Sequence, residues 1–495
     1  MKEIYSNTEQ GIVWLGDYKE EPLLESWTHV EALKNDYSPT QRPEDGIATA
    51  AGPGRQHDDA LDGAKYDRVM RAEVVAAFDL IQVLANGDSF RTSSYRFTNK
   101  ALDALAAIMR LSWWHRMWTI QEVVLPAKVT VVCGGMLLPW STFSDAAHNI
   151  FKHDMIQYCS RPTIKMVPLL TSFYSQIEAI EFTRRMQLDF LIALHLFRRR
   201  LASDNKDKVF ALLGLSFQDA PLQKIISADY SLDWRQVFQR TAAGMMRITS
   251  DLSPLLRTYE PGRDPTLPSW LPDWRASTTT ETGDEEMTWW IPAYDTYNAS
   301  KGAVLEIRSS KEGELKLKGT PLCKVGALIG NSFVSPFDEQ NAVAEWHEQL
   351  GILTELDRLY PSGGTYAKAF YRSIRSDTTY DTFDTNPFRG KLRRLNESDD
   401  PTVPGSLDEM VMGMKYRRLF LTKTGLIGSG PMETKSGDVV YILHGGRVPF
   451  ILRRCPQRQR TEGDFFFYIG HAFIHGIMDG QALSRKSVSH WVTLV

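Results

Sequence analysis

A tryptophan and a glutamate four positions apart, Trp118 and Glu122, are the pair in this sequence best suited to chemistry. Residues four apart lie on one face of an α-helix, one turn from each other, so the indole would stand beside the carboxylate. An apolar wall raises the pKa of a carboxyl group, and a positioned carboxylate can stabilise positive charge that develops during a reaction. The spacing therefore makes Glu122 a candidate catalytic residue.

A structural interpretation of the same segment competes with the catalytic one. Its core positions would be Trp114, Trp118 and Leu125. Gln121 and Glu122 would then satisfy neighbouring backbone groups or Arg116. We favour this interpretation, because a catalytic pocket needs a pre-organised set of groups that the segment alone does not supply.

Two histidines and an aspartate recur at intervals of four near the end of the sequence, at His471, His475 and Asp479. On a strand, imidazoles four positions apart are about 13 Å from each other, too far to share an ion bound at about 2 Å. We therefore predict no metal at these residues. A strand that runs into a turn over 476–480, with Asp479 bonded to backbone amides, fits the pattern better.

Several motifs with well-defined chemistry are absent from the sequence. It contains no G-x-S-x-G elbow, no G-x-x-x-x-G-K-[ST] loop, no H-E-x-x-H and no G-x-G-x-x-G after a strand. Hydrolases, NTPases, metalloproteases and dinucleotide-dependent dehydrogenases lose their main sequence support. We predict that the protein holds no cofactor.

The composition is that of an ordinary globular protein, with 495 residues, 43% hydrophobic and 24% charged. A formal net charge of −3 gives no field that would recruit nucleic acid. The basic runs at 197–200 and 453–460 are interpreted as solvated surface. Four scattered cysteines without a C-x-x-C pair favour a reduced, cytoplasmic environment. No apolar run is long enough to predict a membrane span.

The elements that would position Glu122 alternate between strands and helices. Apolar runs at 11–16 and 128–133 predict buried strands, of which the first ends in glycine and the second is followed by glycine. Helical spacing covers 67–84 and 99–109, and Ser112 is expected to cap a third helix that runs through Glu122. Residues 35–64 are rich in Pro, Gly, Asp and Gln and predict a long loop. Strands and helices in this order imply an α/β layer.

The rest of the chain divides into a helical part and a β-rich part. From Trp140 to about Ile248 the pattern is helical, and 267–274 is expected to be an extended linker anchored by two tryptophans. Beyond about 276, 336–376 is expected to be helical and 377–404 a polar surface excursion. Strands are predicted at 304–307, 315–317, 323–329, 419–422, 439–443, 450–453 and 466–475. These patterns predict three domains, with the limits 1–140, 141–275 and 276–495. The last would end in a small antiparallel barrel-like unit at about 416–483.

Five segments carry further information. They read MKEIYS with GIVWLG, RMWTIQEVVL with VTVVCG, DKVFALLGL, LPSWLPDW, and a final stretch from 437 to 480 that ends in HGIMDG. In this order they resemble the signature segments of the fungal heterokaryon incompatibility (HET) domain family. The residues that match the signature are Trp14, Gly16, Arg116, Trp118, Gln121, Glu122, Asp207, Phe210, Gly214, Trp270, Trp274, His475, Gly476, Asp479 and Gly480.

The sequence also departs from the family pattern. The opening strands of the family, similar to Y-x-A-L-S-Y-x-W-G and W-I-D-A-x-C-I-N-Q, have no counterpart here. The chain is therefore expected to begin partway through its HET domain, either because the gene model is truncated or because this paralogue has lost half of the domain. The resemblance then implies a partial, TIR-like three-layer α/β domain, followed by a helical region and a β-rich unit, and an α+β protein as a whole.

The resemblance implies a function in nonself recognition, in which programmed cell death follows the fusion of incompatible hyphae. A truncated or non-signalling form is included in this expectation, and a protein partner or self-association is expected. The HET domain is similar to TIR domains, some of which cleave NAD with a glutamate in W-C-x-x-E. Trp118 and Glu122 have that spacing, so one alternative is a hydrolase that uses Glu122 on NAD. A non-catalytic interaction scaffold is the other.

Overall fold

The computed structural model describes residues 8–16, 18–19, 69–87, 98–152, 166–186, 188–215, 226–256, 260, 262–275, 290–309, 313–332, 339–380, 392–396, 412–456, 464–484 and 487–495. These residues form two compact units. The N-terminal unit contains the described residues between 5 and 178, and the C-terminal unit contains those from 179 onward. The loop predicted at 35–64 lies outside the described residues.

A three-stranded sheet organises the N-terminal unit. Its strands are β1 (Gly11–Trp14), β4 (Val129–Cys133) and β5 (Met136–Pro139), in the order β1-β4-β5. β1 lies parallel to β4, and β4 turns into the antiparallel β5 at two glycines with positive φ, Gly134 and Gly135. The short strands β2 (Tyr18–Lys19) and β3 (Val69–Met70) form a separate parallel pair.

Three helices of the N-terminal unit follow the predicted helical spacing. They are Arg71–Ala85, Asn99–Met109 and Trp140–Lys152. Helix Asn99–Met109 begins after Thr98, whose side chain accepts a hydrogen bond from the backbone N–H of Ala101. Such an N-cap stabilises a helix by about 1 kcal/mol. A further helix, Met166–Arg185, contains the boundary between the two units.

The prediction of one helix from Ser112 through Glu122 is wrong. The segment forms a 3-10 turn, Ser112–His115, and a separate short helix, Thr119–Val124. Arg116 between them is extended, with φ −85° and ψ 140°. The Thr119 hydroxyl explains the break, because it donates to the carbonyls of Trp113 and Arg116 and so holds the chain in a tight turn.

Strand β1 was predicted to be buried, and only one of its faces is. Val13 is fully buried, whereas Ile12 and Trp14 are 64% and 58% exposed. Successive side chains of a strand point to opposite faces, so the alternation shows a sheet that is covered on one side. Leu137 of β5, 66% exposed, carries an apolar side chain on the same uncovered face, because Trp14 pairs with Val132 and Val132 with Leu137.

The C-terminal unit combines helices with a large sheet. Among its helices in the described residues are Phe190–Leu196, Asp207–Phe210, Trp234–Thr249, Glu339–Leu353 and Tyr366–Ile374. Helix Trp234–Thr249 begins with a capping box, in which Asp233 and Gln236 bond to each other's backbone N–H groups. The segment 267–274 is not the extended linker that we predicted, since it contains a turn closed from Leu271 N–H to Pro268 O.

The sheet of the C-terminal unit has nine strands. They are β6 (Ile307–Ser309), β7 (Leu315–Ile329), β10 (Arg417–Thr422), β11 (Ile427–Pro431), β12 (Val439–Leu443), β13 (Phe450–Arg454), β14 (Phe465–His471), β15 (Phe473–Ile474) and β16 (His490–Leu494). The strands β8 (Thr378–Tyr380) and β9 (Leu392–Arg394) form a separate two-stranded antiparallel sheet. The prediction of a β-rich C-terminal region is thus confirmed.

Strand β7 is the centre of this sheet. We predicted two strands over its length, and it is one strand of 15 residues. β7 pairs with β6, β10, β12 and β16. The pairing path from β12 through β13, β14 and β16 to β7 therefore returns to β12. Alternating residues of these strands, among them Val325, Val440 and Ile451, form one apolar core cluster.

Candidate functional site

The carboxylate of Glu122 is held by a tryptophan, but not by Trp118. The indole N–H of Trp113 donates to Glu122 Oε2 at 2.8 Å, and both the 3-10 turn and helix Thr119–Val124 are needed to bring the two together. Trp118 is the N-cap of that helix and is half-buried. The hydrogen bond orients Glu122 at the edge of the core, which is what both the structural and the catalytic interpretations require.

Strand β1 packs closely against the end of the helix that carries Glu122. A Cβ atom on Gly11 would lie 2.7 Å from Pro126 Cγ and 3.0 Å from the backbone oxygen of Glu122. Only a glycine permits strand β1 to approach the end of helix Thr119–Val124 so closely. Of the signature residues in this segment, Gln121 is buried and Arg116 is exposed.

Aromatic side chains form the core beneath the Trp113–Glu122 pair. Trp113 and Trp114 meet edge to face at 4.9 Å between centroids, and Trp140 stacks on Phe143 at 5.8 Å. Contacts of this kind contribute about 0.5–1.5 kcal/mol each beyond the burial of area. The interpretation of Trp114 as core is therefore confirmed, whereas Trp118 is only half-buried.

The third signature segment, DKVFALLGL, builds a buried polar cluster in the C-terminal unit. Lys208, 6% exposed, donates through its ammonium group to the carbonyls of Arg198, at 2.8 Å, and Arg200. Burial and, as a smaller contribution, the positive charge of Arg198 lower the pKa of Lys208 to about 8. The neighbouring Asp207 accepts a hydrogen bond from the hydroxyl of Tyr230 at 2.6 Å. Asp207 and Lys208 therefore bond to two other segments of the chain, one at 198–200 and the other at Tyr230.

An ion pair shielded from solvent lies at the centre of the same cluster. Arg198 Nη2 contacts Glu260 Oε1 at 2.9 Å, and each side chain is 2% exposed. Arg198 also donates to the carbonyl of Asp273, and the carboxylate of Asp273 pairs with Arg275 at 2.9 Å. The LPSWLPDW segment contributes Asp273 to this network. The network therefore joins the DKVF and LPSWLPDW segments, which lie far apart in sequence.

The LPSWLPDW segment also makes hydrogen bonds to the large sheet of the C-terminal unit. The Ser269 hydroxyl accepts a hydrogen bond from Tyr468 N–H in β14, and Ser269 N–H donates to the carbonyl of Val495 at 2.8 Å. The indole N–H of Trp270 donates to the carbonyl of Gly313 at 3.0 Å. Trp270 and Trp274 are buried, so the prediction of two tryptophan anchors is confirmed. The segment ties the helical part of the C-terminal unit to its sheet.

The last signature segment forms a tight turn next to a second charged cluster. Gly476 and Gly480 have φ of 90° and 81°, in the left-handed region that glycine adopts most easily. Asp479, which we expected to bond backbone amides, accepts instead from Arg394 at 3.1 Å and from the side chain of Gln481 at 3.3 Å. Arg394 contacts Asp377 at 2.6 Å as well, so it joins the turn to the start of β8.

Asp377 is the buried anchor of this second cluster. Its side chain is 5% exposed and pairs with both Arg372 and Arg394. Ser376 and Asp377 have positive φ, 48° and 59°, a conformation that costs energy for residues with a Cβ atom. The predicted surface excursion at 377–404 is therefore wrong for its first residue. Pairing with two guanidinium groups compensates for this backbone strain and for the burial of the carboxylate.

The two histidines of the last segment occupy different environments. His471 is fully buried, and its Nε2 lies 3.0 Å from Arg417 Nη1. Because arginine can only donate, Nε2 of His471 is the unprotonated, accepting atom. The peptide carbonyl of His475 accepts a bond from the hydroxyl of Tyr360, and burial lowers the pKa of His475 to about 4. Among the described residues, no group of three or more His, Cys, Asp or Glu could hold a metal ion.

Buried histidine predicts a dependence of stability on pH. Burial and, as a smaller contribution, the positive charge of Arg198 lower the pKa of His195 to about 3. Between the ordinary pKa of about 6.5 and this value the unfolded chain binds more protons, so the free energy of unfolding falls as the pH falls, by about 1.4 kcal/mol per pH unit. Urea unfolding at pH 7, 6 and 5 measures that slope.

Replacement of the imidazole isolates its share of this slope. Leucine has a similar volume and a high helix propensity, and His195→Leu removes the titration within helix Phe190–Leu196. We expect the variant to lose about 1.4 kcal/mol per pH unit of slope over this interval, while the contribution of His475 remains. A slope equal to that of the unmodified protein would contradict the assignment.

Sequence reasoning missed the charged residues that join these segments. Arg198 and Arg200 were interpreted as solvated surface, which is wrong, because they are 3% and 7% exposed. The run follows directly on the apolar helix Phe190–Leu196, and that continuity was a signal of burial. Glu260 carries no comparable signal in the sequence. In the part of the chain that the structure describes, no helix has the length and apolar character to cross a membrane.

Comparison with known proteins finds two family domains and one relative along the chain. The heterokaryon incompatibility protein (HET) family matches residues 1–122, and the Het-6 beta-barrel domain matches residues 369–491. Heterokaryon incompatibility protein 6, OR allele, of Neurospora crassa is 22% identical over 566 residues, which cover 97% of this chain and 78% of that protein. No solved structure matches. The chain belongs to the heterokaryon incompatibility (HET) family of filamentous fungi, as the five segments indicated.

Proposed function

We propose that this protein acts in nonself recognition between fungal hyphae and promotes cell death when incompatible hyphae fuse. The observation that carries the proposal is the similarity to an incompatibility protein over 97% of this chain, which includes both matched domains. Similarity along the whole chain, rather than in one domain, favours a shared role for the two units. A cytoplasmic site of action belongs to the same proposal.

The mode of action that we propose is protein contact, through self-association or a protein partner. The uncovered face of the N-terminal sheet supports it, since Ile12, Trp14 and Leu137 are exposed and adjacent across the strands. Exposed apolar side chains that cluster mark interaction surfaces more often than scattered ones do.

The domain architecture is also part of this proposal. We propose the three predicted domains, of which the first is TIR-like and the last is barrel-like. The closed pairing path of the large sheet supports a barrel.

Cleavage of NAD by Glu122 is the alternative that one observation favours. The Trp113 indole orients the Glu122 carboxylate at 2.8 Å, as a positioned acid or a ribose ligand would require. The same bond gives Glu122 a sufficient structural role without catalysis. Self-association without a signalling role, in a truncated or regulatory form of the protein, is the remaining variant of the proposal.

Glutamine at position 122 separates these alternatives. Its amide oxygen can accept the Trp113 bond, so Glu122→Gln removes the charge and keeps the fold. We expect inducible expression of the unmodified protein in a filamentous fungus to reduce hyphal viability, and Glu122→Gln to reduce it equally. Cellular NAD, measured in the same cultures, should not fall before viability does.

Trp113→Phe is the matched control for this experiment, because it removes the hydrogen bond and leaves the charge of Glu122. Loss of activity in Trp113→Phe alone assigns the pair a structural role. If the unmodified protein depletes NAD and Glu122→Gln does not, the mode of action is catalysis rather than protein contact. Full viability after expression of the unmodified, folded protein would contradict the incompatibility function itself.

A further inference from the structure

Four strands of the C-terminal unit meet around one glycine. Gly319 of β7 pairs with Leu443 of β12 on one side and with His490 of β16 on the other, and β6 pairs with β7 just before it. A Cβ atom at Gly319 would lie 2.7 Å from Leu443 Cδ2 and 2.8 Å from the carbonyl oxygen of Ile442. The absence of a side chain thus lets β12 approach β7 closely at this point. The residues that flank this meeting point are brought together from four separate segments.

The flanking residues form a chain of polar contacts. Thr320 Oγ1 lies 2.8 Å from Ser489 Oγ, and Ser489 Oγ lies 2.9 Å from His444 Nε2. On the other side of the ring, His444 Nδ1 lies 3.5 Å from Glu306 Oε1. A hydroxyl, an imidazole and a carboxylate therefore follow each other in the order in which nucleophile, base and orienting acid stand in serine hydrolases.

The direction of the hydrogen bonds follows from the carboxylate. Glu306 accepts, so Nδ1 of His444 carries the proton and Nε2 is free to accept from the Ser489 hydroxyl. Ser489 then donates to His444 and accepts from Thr320. We propose that Ser489 and His444 form a catalytic pair for hydrolysis of a carboxylic ester, with Glu306 as a positioning residue for the imidazole.

The charges around the imidazole keep it available as a base. Glu306 Oε1 also pairs with Lys318 Nζ at 2.8 Å, and this pairing lowers the pKa of Glu306, which stays ionised. Partial burial lowers the pKa of His444, with Lys318 acting in the same direction and Glu306 in the opposite one. His444 is consequently neutral at pH 7. Its side chain is 18% exposed, so a small ester can reach the pair.

The reaction that this arrangement performs balances with water as the only co-reactant. Ser489 Oγ attacks the ester carbonyl carbon while its proton passes to His444 Nε2, and the bond to the alcohol oxygen breaks as His444 returns the proton to it. Water, deprotonated by the same nitrogen, then attacks the acyl-serine; the bond between the acyl carbon and Ser489 Oγ breaks as His444 returns the proton to that oxygen, and the carboxylic acid is released. The Thr320 hydroxyl, which is 2.8 Å from Ser489 Oγ, holds the nucleophile in place before the attack.

This site is separate from Glu122 and independent of the incompatibility function. Ser489 does not lie in a G-x-S-x-G elbow, and its partners are 45 and more residues away in sequence. Motif searches therefore pass over it, whereas constellations of this kind are recognised by geometry and roles.

The test uses the purified full-length chain, a fluorophosphonate probe and p-nitrophenyl acetate. We expect the probe to attach to Ser489, located by mass spectrometry of peptides, and the ester to be hydrolysed at a rate that rises with pH through the pKa of His444. Ser489→Ala should abolish labelling. His444→Gln should lower hydrolysis by about 100-fold or more, in the range that a general base contributes. Ser487→Ala is the matched control and should leave both readouts unchanged.

Glu306→Gln tests whether Glu306 positions the imidazole of His444. The measurement is the pH profile of hydrolysis, which a purely structural role of Glu306 would leave unchanged. It removes the negative charge that raises the pKa of His444, so the pH profile should shift to lower pH as the rate falls. Thermal unfolding of each variant establishes that it is folded. An unlabelled Ser489 in the folded protein, or labelling and hydrolysis that His444→Gln leaves intact, would overturn the proposal and reduce the cluster to a polar network between strands.

Discussion

Replacement of Glu260 by glutamine is expected to lower the free energy of unfolding of the C-terminal unit by about 3–5 kcal/mol. The variant leaves the guanidinium of Arg198, 2% exposed, without the carboxylate that neutralises it. Glu260 also lies 3.3 Å from Arg263 Nε and accepts from Asp273 N–H, so the same substitution weakens its hold on two further segments. A charge that is buried and unpaired is the costliest of these changes.

Urea unfolding of matched variants measures this cost. Asp464→Asn is the control, because Arg454 and Asp464 form an exposed ion pair, 59% and 40% accessible, whose loss is expected to cost less than about 1 kcal/mol. The double variant Arg198→Met/Glu260→Met removes both charges, and it should be more stable than Glu260→Gln alone. Equal stability of Glu260→Gln and Asp464→Asn would show that the pair is solvated, contrary to its geometry.

The elements of this fold could be predicted where a short stretch of sequence carries the physical cause. Helix Asn99–Met109 and strand β12 (Val439–Leu443) have the predicted bounds, because their apolar periodicity and flanking polar residues are local. The break at Arg116 could not be predicted. It depends on a hydroxyl, Thr119, that bonds backward to two carbonyls, and the helical spacing of the tryptophans conceals it.

The sites were harder to predict than the elements, because their residues meet only in three dimensions. Arg198 and Glu260 are 62 positions apart, and Ser489 and His444 are 45 apart. Family signature residues pointed to the right segments, such as Asp207 and Trp270, but not to the arginines and acids that join them. The sequence pointed to Trp118 as the neighbour of Glu122 and gave no sign that Trp113, nine positions before Glu122, donates a hydrogen bond to its carboxylate.

The glycines of the HGIMDG turn illustrate how a signature can encode packing. Gly476→Ala is expected to destabilise the protein by about 2–5 kcal/mol, the sum of about 1–2 kcal/mol for a left-handed backbone and about 1–3 kcal/mol for overpacking. Gly476 has a φ of 90°, and a Cβ atom there would lie 2.3 Å from Ser362 Oγ and 2.5 Å from Ser362 Cβ. Such distances require the 362 segment to move.

Gly437 separates the two contributions, because its φ is 92° and a Cβ atom there would meet nothing within 4 Å. Gly437→Ala should therefore cost only the left-handed conformation, about 1–2 kcal/mol. The double variant Gly476→Ala/Ser362→Gly should recover the overpacking share, since it removes both atoms in the way. Thermal and urea unfolding of the three variants measure the two shares. If Gly476→Ala and Gly437→Ala cost the same, the glycine at 476 serves the backbone conformation alone; a larger cost that Ser362→Gly relieves assigns it to the contact between the signature turn and the 362 segment.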